Sequence, residues 1–300
     1  MPVNFPEMWL NRVRTQLRSA NVAPWLSGIE ELDTAVIEMG SGTAGEKNLI
    51  HIPISFFDPT VLINNSTYPL ALEEYTDDET VVALDKYQSL PTTLSDDQII
   101  GASYQRIDNA TGQHVNAINT KKYMKAIHAL APDANAEWTP VNFTKTDKFT
   151  FADLANLKLA FDNMEVPLIG RRIVLSNQHW NDLIMDESNK YYNKMLVDFR
   201  QGDLVPVIAG FEIYQYVSNP YFDVDGKKLP WGAVKDETDT QASVAYYVPY
   251  IVMKTGLTKQ YFAPANLDPE NQTNRLNYRH YFIVLPAMPR YYGAIVTQPE

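Results

Sequence analysis

Five acids fall within seven residues, Glu73, Glu74, Asp77, Asp78 and Glu79. Paired carboxylates can serve as general acid and base in hydrolysis. Adjacent charges of one sign more often make a solvated face or a partner-binding patch, and the run reads as such a patch. Gly40-Ser41-Gly42-Thr43-Ala44-Gly45 matches G-x-G-x-x-G. A dinucleotide site needs a helix opening from the last glycine, so that phosphate meets its N-terminus. The residues that follow, Asn48 to Ile54, alternate and contain Pro53, which reads as a strand. The glycines therefore read as a loop. Asp223-Val224-Asp225-Gly226 starts like a calcium loop but lacks the later glutamate, since Lys227-Lys228-Leu229 follow. A hairpin turn is the simpler reading. His51, His114, His128, His179 and His280 are scattered, with no H-E-x-x-H and no G-x-S-x-G elbow. Cysteine is absent, which excludes disulfides and thiolate chemistry and fits a reducing compartment. No pattern implies a cofactor or a metal, and an enzyme is not expected.

The elements that would carry these residues follow in order. Residues 1 to about 20 read as a short amphipathic helix on Met8, Trp9, Val13 and Leu17, locally basic through Arg12, Arg14 and Arg18. From Ile50 to Leu94 the chain is strand-like. Eight acids face one base, Lys86, between Glu73 and Asp97, which suggests a two-stranded arm that needs another molecule to steady it. Ser95-Asp96-Asp97-Gln98 is a capping box for a long helix ending near Leu130. Its apolar face is Ile100, Tyr104, Ile107, Thr111, Val115 and Ile118; Lys121, Lys122 and Lys125 suit its negative end. Thr150-Phe151-Ala152-Asp153 caps a helix to about Met164. Arg171 to Leu175 is a strand, and Ser176 caps the next helix. Strands are expected over Gly210–Tyr214 and Ala242–Met253. A polar loop, Asp268 to Asn277, should precede a long strand from Tyr278 to Leu285 that Pro286 and Pro289 end.

The chain has 300 residues and a net charge of -11, the wrong sign for a free nucleic-acid binder. An acidic protein can still enclose DNA without adhering to it, because few bases then bind phosphate. The N-terminus has no secretory pattern, and no run approaches the about 20 apolar residues of a membrane span. Aromatic residues, at 12%, would also suit a carbohydrate-binding β-protein, but such a module has no use for the long capped helix.

This order of parts resembles the major capsid proteins of tailed bacteriophages, the Hong Kong 97-like fold. Three stretches carry the resemblance: LEEYTDDETVVALDKYQSLPTTLSDDQI at 72–99, GRRIVLSNQHWNDLI at 170–184, and IAGFEIYQYVSN at 208–219. They are similar to the family's extended loop leading into its spine helix, and to two parts of its axial domain. The resemblance implies an α+β fold with an N-terminal arm (1–48), an extended β-hairpin loop (49–95) and a peripheral domain with the spine helix (96–149). An axial domain (150–256) and a return through the peripheral domain (257–300) follow.

It also implies a structural function: pentamers and hexamers forming an icosahedral shell around double-stranded DNA, in the virion, with assembly in the host cytoplasm and no membrane. A portal is an implied partner. The arm begins at Met1, so a separate scaffolding protein is expected. The expected assembly interface comprises Trp9, Arg12, Arg14, Glu73, Glu74, Asp77, Asp78, Glu79, Lys86, Arg275 and Arg279. Some family shells crosslink a loop lysine to a neighbour's asparagine, which points to Lys86 and to Asn271, Asn274 and Asn277. A salt bridge is the simpler role for a lysine beside acids. An encapsulin-type nanocompartment would share the fold, and a carbohydrate-active protein is the remaining alternative.

Overall fold

The computed structural model describes residues 23–32, 37–39, 48–55, 59–74, 77–95, 104–186, 207–267 and 270–298. Trp9, Arg12, Arg14 and the run Gly40–Gly45 lie outside these residues. The chain divides into two units, residues 32–84 and residues 1–31 with 85–300.

In chain order the larger unit supplies β1 (Glu30–Glu31), and the smaller one β2 (Ile37–Met39), β3 (Asn48–Ser55) and β4 (Asp77–Ala83). The larger unit resumes with β5 (Asp85–Gln88), β6 (Thr92–Ser95), helix α1 (Tyr104–Leu130), β7 (Val141–Phe143), α2 (Phe151–Asn163), β8 (Arg171–Leu175) and α3 (Asn177–Met185). Then come β9 (Val207–Ile208), β10 (Phe211–Gln215), β11 (Tyr221–Phe222), β12 (Thr240–Gln241), β13 (Ser243–Tyr247), β14 (Ile251–Ala263), β15 (Thr273–Pro286) and β16 (Tyr292–Val296).

The smaller unit is an antiparallel sheet, β2-β3-β4, in register from Leu49 opposite Ala83 to Ser55 opposite Asp77. The residues after the glycine run are thus a strand, as their alternation predicts, and not the helix a dinucleotide site requires.

Period-two alternation builds the centre of the larger unit, because successive strand side chains point to opposite faces. Its mixed sheet runs β7-β16-β13-β8-β10-β9. Ile173 and Leu175 of β8, Ala245 and Tyr247 of β13 and Ile295 of β16 share one core with Leu154, Leu157 and Phe161 of α2 and Leu183 of α3. Val174, Val244, Tyr246, Ala294 and Val296 point the other way, into a second core with Trp25 and with Tyr123, Ile127 and Leu130 of α1. Strands buried on both faces read as continuous apolar runs, as Ile173–Leu175 and Val244–Tyr247 do. Gly293 lies where β16 crosses Pro140. A Cβ there would stand 2.8 Å from the Pro140 carbonyl oxygen, so only glycine fits.

Local capping follows the sequence signals. The Thr150 hydroxyl and backbone N–H both donate to Asp153 Oδ2, at 2.8 and 2.9 Å, and Ser176 Oγ accepts from His179 N–H at 3.2 Å. α1 ends at Leu130 as expected and runs unbroken through Gly112. Ser95 ends β6, and the rest of its capping box, with the helical positions Ile100 to Ser103, lies outside the described residues.

Two expectations are corrected. Ala242–Met253 is not one strand: β13 ends at Tyr247 and β14 starts at Ile251, in different sheets. Pro249 has no N–H for a ladder, and the 3₁₀ turn Val248–Tyr250 redirects the chain. The polar stretch before Tyr278 is not all loop, because β15 already begins at Thr273. Its polar residues are one face of a strand, Thr273, Arg275 and Asn277, alternating with buried Asn274, Leu276 and Tyr278.

β14 and β15 form a long antiparallel ribbon in a second sheet, ordered β1-β14-β15-β5, with β6 also on β15. The register shifts between Thr255 and Thr258, so Gly256 and Leu257 face Tyr281 alone. Such a bulge leaves backbone unpaired and bends the strand.

Candidate functional site

Among the described residues, those that could do chemistry do not gather into a catalytic constellation. Asp223 Oδ1 accepts from the N–H groups of Asp225, at 3.0 Å, and Lys227, at 2.8 Å. This carboxylate closes a turn around Gly226, whose φ is +73°. The described histidine side chains each serve a neighbour. His128 Nε2 bonds the Leu229 carbonyl oxygen at 2.8 Å, His114 packs on Tyr278, and His280 Nδ1 lies 3.0 Å from Thr258 Oγ1. His179 joins Ser243 and Thr297. Among the described residues no group of three or more His, Cys, Asp or Glu could hold a metal. No described helix is long and apolar enough to cross a membrane.

What the chain presents instead is surface. In the smaller unit, Val61, Ile63, Tyr68 and Leu72 are all more than 70% exposed. A single exposed apolar side chain needs no explanation, but a string of them in one extended segment marks a surface made to be covered. Glu73 and Glu74 follow directly and are exposed. Glu73 Oε2 accepts the Thr60 N–H at 3.1 Å, and the Thr60 side chain first, then that backbone bond, hold its carboxyl below the usual range. Asp77, Asp78 and Glu79 lie in β4, opposite Ser55, Ile54 and Pro53.

In the larger unit, Lys86 is exposed on β5, opposite Tyr281 of β15. Beside it Asp85 pairs with Lys125 of α1 at 2.5 Å. Arg275 and Arg279 sit on β15 itself, one face of the strand and four residues apart. Arg275 is exposed. The Arg279 guanidinium lies 5.0 Å from the Tyr261 ring centroid and donates to Tyr281 Oη at 3.3 Å. These two arginines are therefore presented by a rigid strand and not by a loop. Of the asparagines considered for a crosslink, Asn274 is buried, with Oδ1 accepting the Ala265 N–H at 2.9 Å.

Sequence reasoning missed the anchor of the N-terminal segment. Trp25 is fully buried and packs on Tyr216. Arg172 Nη1 donates to the carbonyls of Trp25, at 3.1 Å, and Ser27, while Nε donates to Glu212 at 2.7 Å. Tyr246 Oη donates to the same Trp25 carbonyl. Segment 23–29 is thus clamped against the sheet of β8, β10 and β13, chiefly by charge-assisted bonds. The sequence sets Lys122 among the bases that suit the negative end of the helix. In fact it continues the buried stripe of Thr111, Val115 and Ile118, one step further at helical spacing. That spacing was the available signal.

Comparison with known proteins identifies the family. The family model for phage capsid protein matches residues 77–297. Among solved structures, the capsid of cyanophage P-SCSP1u shares 15% identity, with a TM-score of 0.59 over 91% of this chain and 92% of that one. The mature capsid of bacteriophage PhiM1 shares 14%, with a TM-score of 0.57 over 90% and 91%. The virus-like particle from Pyrococcus furiosus shares 8%, with a TM-score of 0.57 over 98% and 100%. A search of curated proteins returned no match. The chain belongs to the phage capsid protein family, as a shell-forming major capsid protein with the Hong Kong 97-like α+β fold.

Proposed function

We propose that many copies assemble as pentamers and hexamers into an icosahedral shell that encloses phage double-stranded DNA. The family match over residues 77–297 is the observation that carries this reading. Residues 49–95 act as the extended loop and lie over an adjacent subunit, which covers Val61, Ile63, Tyr68 and Leu72. The acids Glu73, Glu74, Asp77, Asp78 and Glu79 face Arg275 and Arg279 of that neighbour. A strand-borne pair of guanidiniums is well suited to carboxylates, since its direction is set before contact. The N-terminal arm, with Trp9, Arg12 and Arg14, reaches from the clamp at Trp25 to another neighbour or lines the interior. Residues 150–256 pack around each capsomer axis, and 96–149 with 257–300 form the peripheral domain. Lys86 serves as an exposed ion-pairing group at the same surface. A portal and a separate scaffolding protein complete the particle, which is made in the host cytoplasm.

The net charge of -11 supports an interior that does not bind the packaged DNA tightly. The likeness to the Pyrococcus furiosus particle keeps an encapsulin-type compartment as the second reading. Electron microscopy of the purified chain, alone and co-expressed with a scaffolding candidate, tests the proposal. Closed shells are expected. A chain that stays monomeric at high concentration in both preparations refutes it.

A further inference from the structure

The bulge in β14 opens a cavity of about 450 Å³ between that strand, β15, α1 and the segment Leu26–Ile29. Three buried polar side chains line it, Lys122, Thr258 and His280. Lys122 is 5% exposed, and its ammonium rests 4.7 Å from the Tyr123 ring centroid and 4.9 Å from that of Phe282. Among the described residues no carboxylate pairs with it. His280 is 2% exposed; its Nδ1 is taken by Thr258, and its Nε2 has no partner.

A buried ammonium is costly unless it is paired. Two ring faces offset only part of that cost. Burial lowers the Lys122 pKa to about 8, so the group is still mostly a cation at neutral pH. Burial and the Lys122 charge hold His280 near 3, so its ring is neutral and, as the Nε2–H tautomer, has one donor to offer. A cation and a neutral N–H donor in one cavity suit a single carboxylate. The bulge supplies the opening, since Gly256 and Leu257 have left the ladder.

We propose that this cavity is a carboxylate-binding site, filled in the assembled shell by an Asp or Glu side chain from a second copy of the chain. The inference rests on the shell reading. Acids outnumber bases in this chain, 36 to 25, so a neighbouring copy has carboxylates to spare. A buried cation that waits for an acid until subunits meet would also make the contact specific to assembly.

Electron microscopy of wild-type shells at side-chain resolution decides it. An acid of another copy should reach within about 3 Å of Lys122 Nζ. Water alone, an isolated small ion or a nucleic-acid phosphate in the cavity overturns the proposal. Lys122→Met supplies the energetic arm, because it keeps the stem and removes the charge. The folded variant should need about tenfold more subunit, or still more, to assemble; an unchanged threshold refutes the site. If the variant does not fold, the wild-type map still decides. A wild-type chain that forms no particles refutes the shell reading, and this inference with it.

Discussion

Acid should loosen the subunit through His179, and the structure sets the size of the effect. The ring is fully buried and stacks on Phe149, with centroids 4.8 Å apart. Ser243 Oγ accepts the Ser176 N–H at 3.0 Å, which leaves its hydroxyl proton for His179 Nδ1 at 2.6 Å. Nε2–H then donates to Thr297 Oγ1 at 2.8 Å. The neutral ring is satisfied on both sides, and a protonated one would lose its acceptor. Burial lowers the pKa from 6.5 to about 4. The unfolded chain therefore takes up a proton as the pH drops below about 6.5, while the folded chain does not until about 4. Stability from this group is fully present above pH 6.5 and is lost as the pH falls through that window. The loss is about 1.4 kcal/mol per pH unit, or about 3 kcal/mol in all.

Urea denaturation of the unassembled full chain at several pH values from 7.5 to 4 measures it. His179→Gln keeps hydrogen-bonding capacity and cannot titrate. Other groups contribute to the slope in both proteins, including His280, whose lowered pKa acts in the same direction. The difference between the two profiles isolates His179, with the wild type steeper by about one proton below pH 6. Parallel profiles would refute the reasoning.

Reversing Glu73, Glu74 and Asp77 to lysine should leave the subunit folded and block assembly, as seen by light scattering; normal assembly at low salt would mean the acids face only solvent. Raised salt should weaken wild-type shells for the same reason. Gly293→Ala should lower stability by about 1–3 kcal/mol in thermal melts, because its Cβ would meet the Pro140 carbonyl oxygen at 2.8 Å; an unchanged melting temperature counts against that close approach. Arg172→Leu should free segment 23–31 to limited proteolysis while the rest of the core resists, and an unchanged cleavage pattern would show that Trp25 burial, the Tyr246 bond and the pairing of β1 hold the segment without Arg172.

Local chemistry was legible wherever a few adjacent residues decide the outcome. Thr150 with Asp153, Ser176 before α3, and Asp225-Gly226 each satisfy their own backbone, so nothing distant can overrule them. The family order of elements was legible for the same reason, as a string of such punctuation. What failed were features set by partners far along the chain. Asn274 and Leu276 look like the end of a polar loop until β14 and α1 bury every second residue. Ala242–Met253 looks like one strand because both halves are apolar, although they serve different sheets.

The candidate surface shows the same division more sharply. Glu73 to Glu79 stand out because no base stands beside them in the sequence. Lys122 does not stand out, since a lysine beside Lys121 and Lys125 has the composition of a solvated helix end. Only its place on the stripe of Thr111, Val115 and Ile118 betrays it. In an ordinary core that position would be leucine, and a charge there would be a defect. In a subunit that is finished only by its neighbours, an unpaired buried charge and an uncovered apolar segment are the same kind of feature. Each is unfavourable in the isolated chain, and on the proposed reading each would be relieved when copies meet, which would drive association without adding stability to the monomer.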